Sequence, residues 1–229
     1  MRVVSYNIRG GLGLDGKRST PRIADTVRGA LPDVVCFQEV HHKLPWSGGE
    51  NQPALLADSL RRAFVYFAPV RFGFGGEGLG VCVRDTFSEE IQHNLPSKRE
   101  NRGVLEVRLR DISGFRSLTV LCTHWGLNSE ERMEQAAECV KIAANAPRPL
   151  IFCGDLNETA DGPAVRRLMQ GSGLLDAGAI SNLPTFPAAN PTKRIDFILH
   201  SPDLRLNDLK TIQSMASDHL PLYADFEKA

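Results

Sequence analysis

The chain carries no surplus of either charge: 27 Lys and Arg stand against 27 Asp and Glu. A protein that grips nucleic acid over an extended surface draws most of its affinity from phosphate neutralisation and carries a basic excess. Here only a local basic patch could serve that purpose. Paired cysteines are missing as well. The five cysteines, at 36, 82, 122, 139 and 153, are odd in number and widely spaced. The absence of any C-x-x-C argues against a zinc ribbon or a dithiol redox motif. Four of them lie in apolar runs (VVCF, GVCV, VLCT, IFCG), so buried reduced thiols and a cytoplasmic setting are expected. No stretch approaches the roughly 20 apolar residues of a membrane-crossing helix. The opening MRVVSYNIRG has no long apolar core and reads as a strand rather than a signal peptide. There is no repeat of the length that builds a solenoid and no segment that reads as an interdomain linker. A single domain over residues 1–229 is expected, with 42% hydrophobic residues to fill its core.

Short apolar runs alternate with amphipathic segments. Strands are expected over residues 2–8, 33–38, 64–68, 80–84, 104–109, 117–124, 150–154, 194–199 and 220–226. Several are apolar at nearly every position, as strands covered on both faces are. Four helices are expected. Thr20-Pro21 opens the first, with Ile23, Val27 and Leu31 on one face. The second covers 53–62 and turns Leu56 and Leu60 inward. Asn128 opens the third, with Glu131 three residues on in the manner of a capping box. Its inward stripe reads Met133, Ala136, Ala137, Val140, Ala144. The fourth starts at Gly162-Pro163 and carries Val165, Leu168 and Met169 inward. Two segments, 41–52 and 71–78, read as loops of the kind that touch substrate.

Polar residues gather where the apolar runs stop. Asn7 follows VVSY, Glu39 follows VVCFQ, His124 follows TVLCT, and Asp155 and Asn157 follow PLIFCG. Asp196 interrupts RI-D-FIL, and Asp218-His219 precedes LPLYADF. A buried strand tolerates carboxylates only when they are paired or bind a metal. Oxygen donors of this kind suit a hard cation. Mg²⁺ keeps several waters and needs one or two carboxylates, whereas zinc draws on several His or Cys ligands. Each piece alone has a plain reading as a cap, a turn or an incidental pair. Their order and company carry the signal: SYNIRG, QEV, THWGLN, GDLNE, RIDFIL and SDHLPL, spread from Ser5 to Pro221.

On those motifs, GDLN and SDH above all, the chain resembles the endonuclease/exonuclease/phosphatase superfamily, which includes deoxyribonuclease I, exonuclease III, inositol polyphosphate 5-phosphatases and neutral sphingomyelinases. The wording THWGLNSEERMEQ, TFP and RIDFIL resembles its small bacterial members. The resemblance implies an α/β fold: a four-layer sandwich of two mixed β-sheets packed face to face, with helices on the outer faces. It implies Glu39 and Asn7 at a metal, with Asp218 near it, and Mg²⁺ as the cation with Mn²⁺ as a substitute. It implies Asp155 orienting the attacking water and Asn157 on the phosphate. His219 would act on the phosphoryl group, held by Asp196, and His124 would be the second active-site histidine. In the deoxyribonuclease-like branch a Glu supports that second histidine, and Glu77 is the candidate here, although a solvated glutamate is its plainer reading.

Other residues have two readings. Arg102 could grip a substrate phosphate or form a surface pair with Glu100. Trp46 is the stacking candidate, and Trp125 reads as packing beside the third helix. Lys193 and Arg194 read as a solvated strand end, and His41, His42, His93 and His200 as surface or loop residues. Thr185-Phe186-Pro187 reads as shaping the pocket. The resulting expectation is a metal-dependent phosphoester hydrolase, a monomer, acting on a phosphodiester of a small molecule or lipid head group. A DNA or RNA nuclease is the alternative, and it needs a basic groove and longer inserted loops than are found here. A phosphatase of the inositol type lacks its additional basic motifs. A catalytically silent binding module is disfavoured because every expected active-site residue type is present.

Overall fold

A computed structural model describes residues 1–84 and 87–229. In chain order its elements are β1 (Arg2–Asn7), α1 (Thr20–Arg28), β2 (Val34–His42), α2 (Gln52–Leu60), β3 (Ala63–Phe72), β4 (Gly75–Val83), β5 (Phe87–Leu95), β6 (Arg102–Ile112), β7 (Phe115–His124), α3 (Ser129–Asn145), β8 (Leu150–Asp155), α4 (Pro163–Ser172), β9 (Leu175–Asp176), β10 (Asp196–His200), β11 (Leu204–Thr211) and β12 (Leu222–Lys228). One sheet runs β11-β12-β1-β2-β4-β3 and the other β5-β6-β7-β8-β10-β9. Each holds one parallel pair, β1 with β2 and β7 with β8, among antiparallel neighbours. The parallel pairs are joined through α1 and α3, since a crossover helix returns the chain to the same end of the sheet.

Period-two alternation sorts the side chains into layers. Val3, Val34, Cys36, Val81, Val107, Val120, Cys122, Ile151, Cys153 and Ile198 meet in the central cluster between the sheets. The opposite faces pack outward. Val4, Tyr6, Val35 and Phe37 meet Ile23, Ala24, Val27 and Leu56 of the first two helices. Leu121, Phe152, Phe197 and Leu199 meet Ala136, Cys139, Val165 and Leu168 of the other two. The expected four layers, helix–sheet–sheet–helix, are therefore present, and all five cysteines are buried and free. No helix among the described residues is long and apolar enough to cross a membrane.

All four expected helices form, three of them capped by side chains. Ser19 Oγ accepts from Arg22 N at 3.3 Å, Asn51 Oδ1 from Ala54 N at 3.2 Å, and Asn128 Oδ1 from Glu130 N at 2.9 Å. α3 corrects two expectations. Glu131 does not close a capping box; its carboxylate accepts Lys98 N at 3.0 Å. The buried face is Glu131, Gln135, Ala136, Cys139, Ile142 and Ala143, while Ala144 faces solvent. The helix is rotated because Gln135 accepts from Gly126 N at 2.9 Å and donates to Pro96 O at 3.0 Å, which holds two polar side chains inside. Leu31, expected inside, lies beyond the end of α1 and is exposed. Three strands went unread. β5 and β11 are edge strands with exposed polar positions, and β9 is two residues long. The segment read as a loop over 71–78 is the paired end of a β3–β4 hairpin, with only residues 73 and 74 between the strands, and β2 extends through His42 into the other loop.

Candidate active site

The polar residues of the motifs continue the inward period of the strands. Val3, Ser5 and Asn7 share one face of β1, as do Val120, Cys122 and His124 on β7, and Ile151, Cys153 and Asp155 on β8. Register then aligns them. His124 lies opposite Asp155, and Asp155 opposite Asp196. Cross-strand partners project to the same side, so these three side chains stand together at the rim of the central layer.

Glu39 is the exception that the backbone makes. Alternation from Cys36 would turn it toward the helices. A β-bulge between Phe37 and Val40 shifts the register against β4, and Glu39 adopts φ 53°. A non-glycine residue at positive φ costs energy and persists where the surroundings impose it. Here it swings the carboxylate into the site, where Glu39 Oε1 accepts from Asn7 Nδ2 at 2.9 Å. The same nitrogen donates to Asp155 Oδ2 at 2.9 Å, so one amide spans two carboxylates from different sheets.

Asp155 is the focus. Its Oδ1 accepts from Asn157 N at 2.9 Å, and its Oδ2 faces His124 Nε2 at 3.5 Å and His219 Nε2 at 3.6 Å. His219 Nδ1 pairs with Asp196 Oδ2 at 2.9 Å. Its ring packs on Phe186, centroids 4.8 Å apart, which brings this residue of Thr185-Phe186-Pro187 against the site. The 217–219 turn is tied down by Ser217, whose Oγ donates to Asn7 O at 2.8 Å and accepts from His219 N at 3.3 Å. Ser217 was legible only as a letter of SDH. Asn157, at φ 49°, donates through Nδ2 to Trp125 O at 2.9 Å and lies 3.1 Å from His124 Nε2.

Burial and charge set the protonation states. Burial raises Asp155 to about 6, the charge of Asp196 adds to this, and His219, Asn157 and Asn7 oppose it. Burial raises Glu39 to about 7 against its bond from Asn7, with Glu77 and Asp155 adding to the rise. For His219 burial alone would push the pKa down, but the charge and hydrogen bond of Asp196, with Asp155 and Asp218, raise it to about 10. His124 moves the other way, held well below its usual value by burial, then by the charges of Arg102 and His219.

The structure thus brings Asn7, Glu39, His124, Asp155, Asn157, Asp196 and His219 together. Asp218 is turned to the margin, 3.4 Å from Arg9 Nη1. Trp46 is half-exposed on its loop and edge-on to Phe72, with ring centroids 5.1 Å apart. Arg102 does pair with Glu100, at 2.8 Å, but it is buried and also touches His124 Nδ1 at 3.1 Å. Glu77 is partly exposed and is engaged with another histidine than His124. It lies opposite His41 on the neighbouring strand and pairs with its Nε2 at 3.1 Å. His41 and His200 are buried, not surface residues. Arg194 is likewise buried, bonded to Asp176 at 2.6 and 3.0 Å.

The donor set fits a hard cation. Asp155, Asp196 and His219 offer ligand-type atoms within 4.8 Å of one another, and Asp196 Oδ1 is buried without a partner. His219 is nevertheless engaged as a proton donor to Asp196. The better place is between Glu39 and Asp155, two carboxylates raised by burial and bridged only by a neutral amide. The carboxylate oxygens are the donors there, and Asn7, which turns its amide nitrogen to both of them, would offer its Oδ1 to a cation only with the amide reversed.

The Endonuclease/Exonuclease/phosphatase family pattern matches residues 4–219. YbhP of Escherichia coli K12 is 28% identical, over 98% of this chain and 95% of its own. An endonuclease/exonuclease/phosphatase from Beutenbergia cavernae has a TM-score of 0.88 at 24% identity, over 100% of this chain and 72% of its own. The human nocturnin catalytic domain with bound sulfate scores 0.80 at 21% identity, over 100% and 94%. These likenesses between structures bear on the fold.

Proposed function

The chain belongs to the endonuclease/exonuclease/phosphatase family, whose enzymes hydrolyse phosphoester bonds, and from that premise we propose that it is a Mg²⁺-dependent phosphodiesterase acting on a small-molecule or lipid head-group diester. One observation carries the reading. Asp155 Oδ2 is the meeting point of Asn7, His124 and His219, at 2.9, 3.5 and 3.6 Å, drawn from both sheets.

Asp155 is the base. A carboxylate raised to about 6 takes a proton from water near neutral pH more readily than an ordinary one. The protonated His219, steadied by Asp196, places a positive N–H beside it, where a phosphoryl oxygen gains charge during attack. Asn157 presents a second N–H, held in place by its bond to Trp125 O. Glu39 and Asn7 would hold the cation, which when bound supplies charge to polarise the phosphoryl oxygen. Even net charge favours a small diester over a long nucleic-acid strand.

The test is turnover of bis(p-nitrophenyl) phosphate and p-nitrophenyl phosphate by the purified protein with Mg²⁺, with Mn²⁺ and with EDTA, using Asp155→Ala as the blank. Hydrolysis of the diester is expected with either metal, and its loss in EDTA and in the variant. Preference for the monoester would replace the proposal with a phosphatase. Wild-type turnover in Asp155→Ala would remove Asp155 from its role.

A further inference from the structure

The two segments read as substrate loops, 41–52 and 71–78, meet in one exposed aromatic patch. Phe72 closes β3, Phe74 stands in the short turn to β4, and Trp46 lies on the facing loop. Phe74 is fully exposed, and Trp46 and Phe72 are each about half exposed. Trp46 meets Phe72 edge to face. The hairpin also rests on the backbone of the loop. A Cβ on Gly75 would lie 2.7 Å from His42 O and 2.8 Å from Lys43 O, so only glycine allows the approach. Cations flank the rings. Lys43 and Arg71 are exposed, and neither forms an ion pair among the described residues. The acidic residues of the two segments are Glu50 and Glu77. Glu50 accepts from Thr20 Oγ1 at 2.7 Å, and Glu77 is held by His41. In a chain of zero net charge, this tip is locally basic.

We propose that the tip docks the protein on an anionic lipid surface. Aromatic rings settle at the head-group level of a bilayer, and Lys and Arg beside them are drawn to its negative face. Stable adsorption takes an apolar and a basic contribution together. A protein partner fits the patch less well. The exposed rings amount to two aromatic side chains, roughly 300–500 Å², against the roughly 800 Å² that each partner of a stable complex covers. The place of the tip in the fold gives docking a use. β1 and β2 are parallel, so Asn7, Glu39 and the tip lie at the same end of one sheet. His42 pairs with Gly76 near the base of the turn and is three residues from Glu39, a span of at most about 11 Å. Adsorption through the rings therefore brings the active site close to the head groups.

That use rests on the lipid-diester reading; the docking itself does not, and it is measured without turnover. The full chain is sedimented with vesicles of an equal mixture of phosphatidylglycerol and phosphatidylcholine, and with vesicles of phosphatidylcholine alone. It should pellet with the mixture, far less with phosphatidylcholine, and less as salt is raised. Phe74→Ser and Trp46→Ser should each weaken partition about tenfold, and Lys43→Gln and Arg71→Gln each about fivefold. Phe74 is fully exposed, so its variant should unfold like wild type. Trp125 is buried, so a change of tryptophan emission on adding vesicles reports Trp46. The emission should shift to the blue with the mixture, and the shift should vanish in Trp46→Phe while binding persists. A wild-type chain that stays in solution with the mixture overturns the proposal, as does pelleting unchanged in both serine variants. So does self-association abolished by Phe74→Ser without vesicle binding, which would give the patch to a second copy of the chain. A raised KM for the soluble diester in Trp46→Ser, with vesicle binding intact, would instead make Trp46 a substrate contact. Pelleting by a protein inert toward every phosphoester would defeat the proposed function and leave the docking standing; turnover without pelleting would do the reverse.

Discussion

Asp155 and His219 lie 3.6 Å apart, and each shifts the other's proton affinity. Asp196 arbitrates between them. It is the largest influence raising His219 and, after burial, the largest raising Asp155. Removing its charge in Asp196→Asn leaves burial to dominate the ring, so His219 should lose its proton well below the wild-type value of about 10. Chemistry that needs the charged ring is then lost as pH rises through a lower value. The kcat–pH profile of Asp196→Asn should show its basic limb moved toward neutrality, with turnover at pH 8 down about 10²-fold. A basic limb in the same place as wild type would mean that the pair with Asp196 does not control His219. The orphaned Asp196 Oδ1 is the polar atom that a change of occupancy at this site should affect first.

At the scale of elements, the parallel pair β7–β8 positions His124 against Asp155 by register alone. That pairing depends on a close backbone approach. A Cβ on Gly154 would lie 2.3 Å from Thr123 O, a backbone atom that cannot move without moving the strand. Gly154→Ala should destabilise the protein by about 1–3 kcal/mol, as overpacking does, and lower kcat by shifting His124 from Asp155. Denaturant unfolding alongside the diester assay checks both; native stability in this variant would show that the strands spread at no cost. The bulge in β2 has the converse effect. It spends a strained residue, Glu39, to bring a carboxylate from the helix-facing side of its sheet to the site.

The whole molecule concentrates unfavourable electrostatics at one end of the sandwich, and this gives a sign for its stability. Glu39 in the folded state is raised above its unfolded value, to about 7, and His219 is raised to about 10. In both cases the folded protein holds more protons between the two values than the unfolded chain does. Stability therefore falls as pH rises, through roughly 4.5–7 for Glu39 and 6.5–10 for His219. In EDTA the Tm should be higher at pH 5.5 than at pH 8.5. A cation bound by the ionised carboxylates stabilises the folded state by mass action, so Mg²⁺ should raise Tm at pH 8.5 more than at pH 5.5. Equal Tm values at the two pH values, or no response to Mg²⁺ at the higher one, would contradict this account of the acidic cluster.

From the chain alone came the apolar strands, the four helices, the buried cysteines and the residue types at the strand ends, because each is local, whereas the four layers came through the resemblance. Period-two alternation assigns a strand's faces, caps mark helix starts, and a carboxylate at the end of an apolar run is conspicuous wherever it occurs. The motifs further named Asn7, Glu39, His124, Asp155, Asn157, Asp196 and His219 through resemblance, and the folded chain gathers them. What tertiary structure decided is what depends on a partner distant in sequence. Polar edge strands such as β5 and β11 have no local apolar signal. The rotation of α3 follows from Gln135 and Glu131 finding backbone partners in other segments. Arg194 and His41 turn inward because Asp176 and Glu77 await them. The lowered proton affinity of His124 follows from its burial and then from the charge of Arg102, which lies 22 positions away in sequence. Composition and spacing are blind to such pairings, since the cost of burying a charge is offset only by the neighbour that folding delivers.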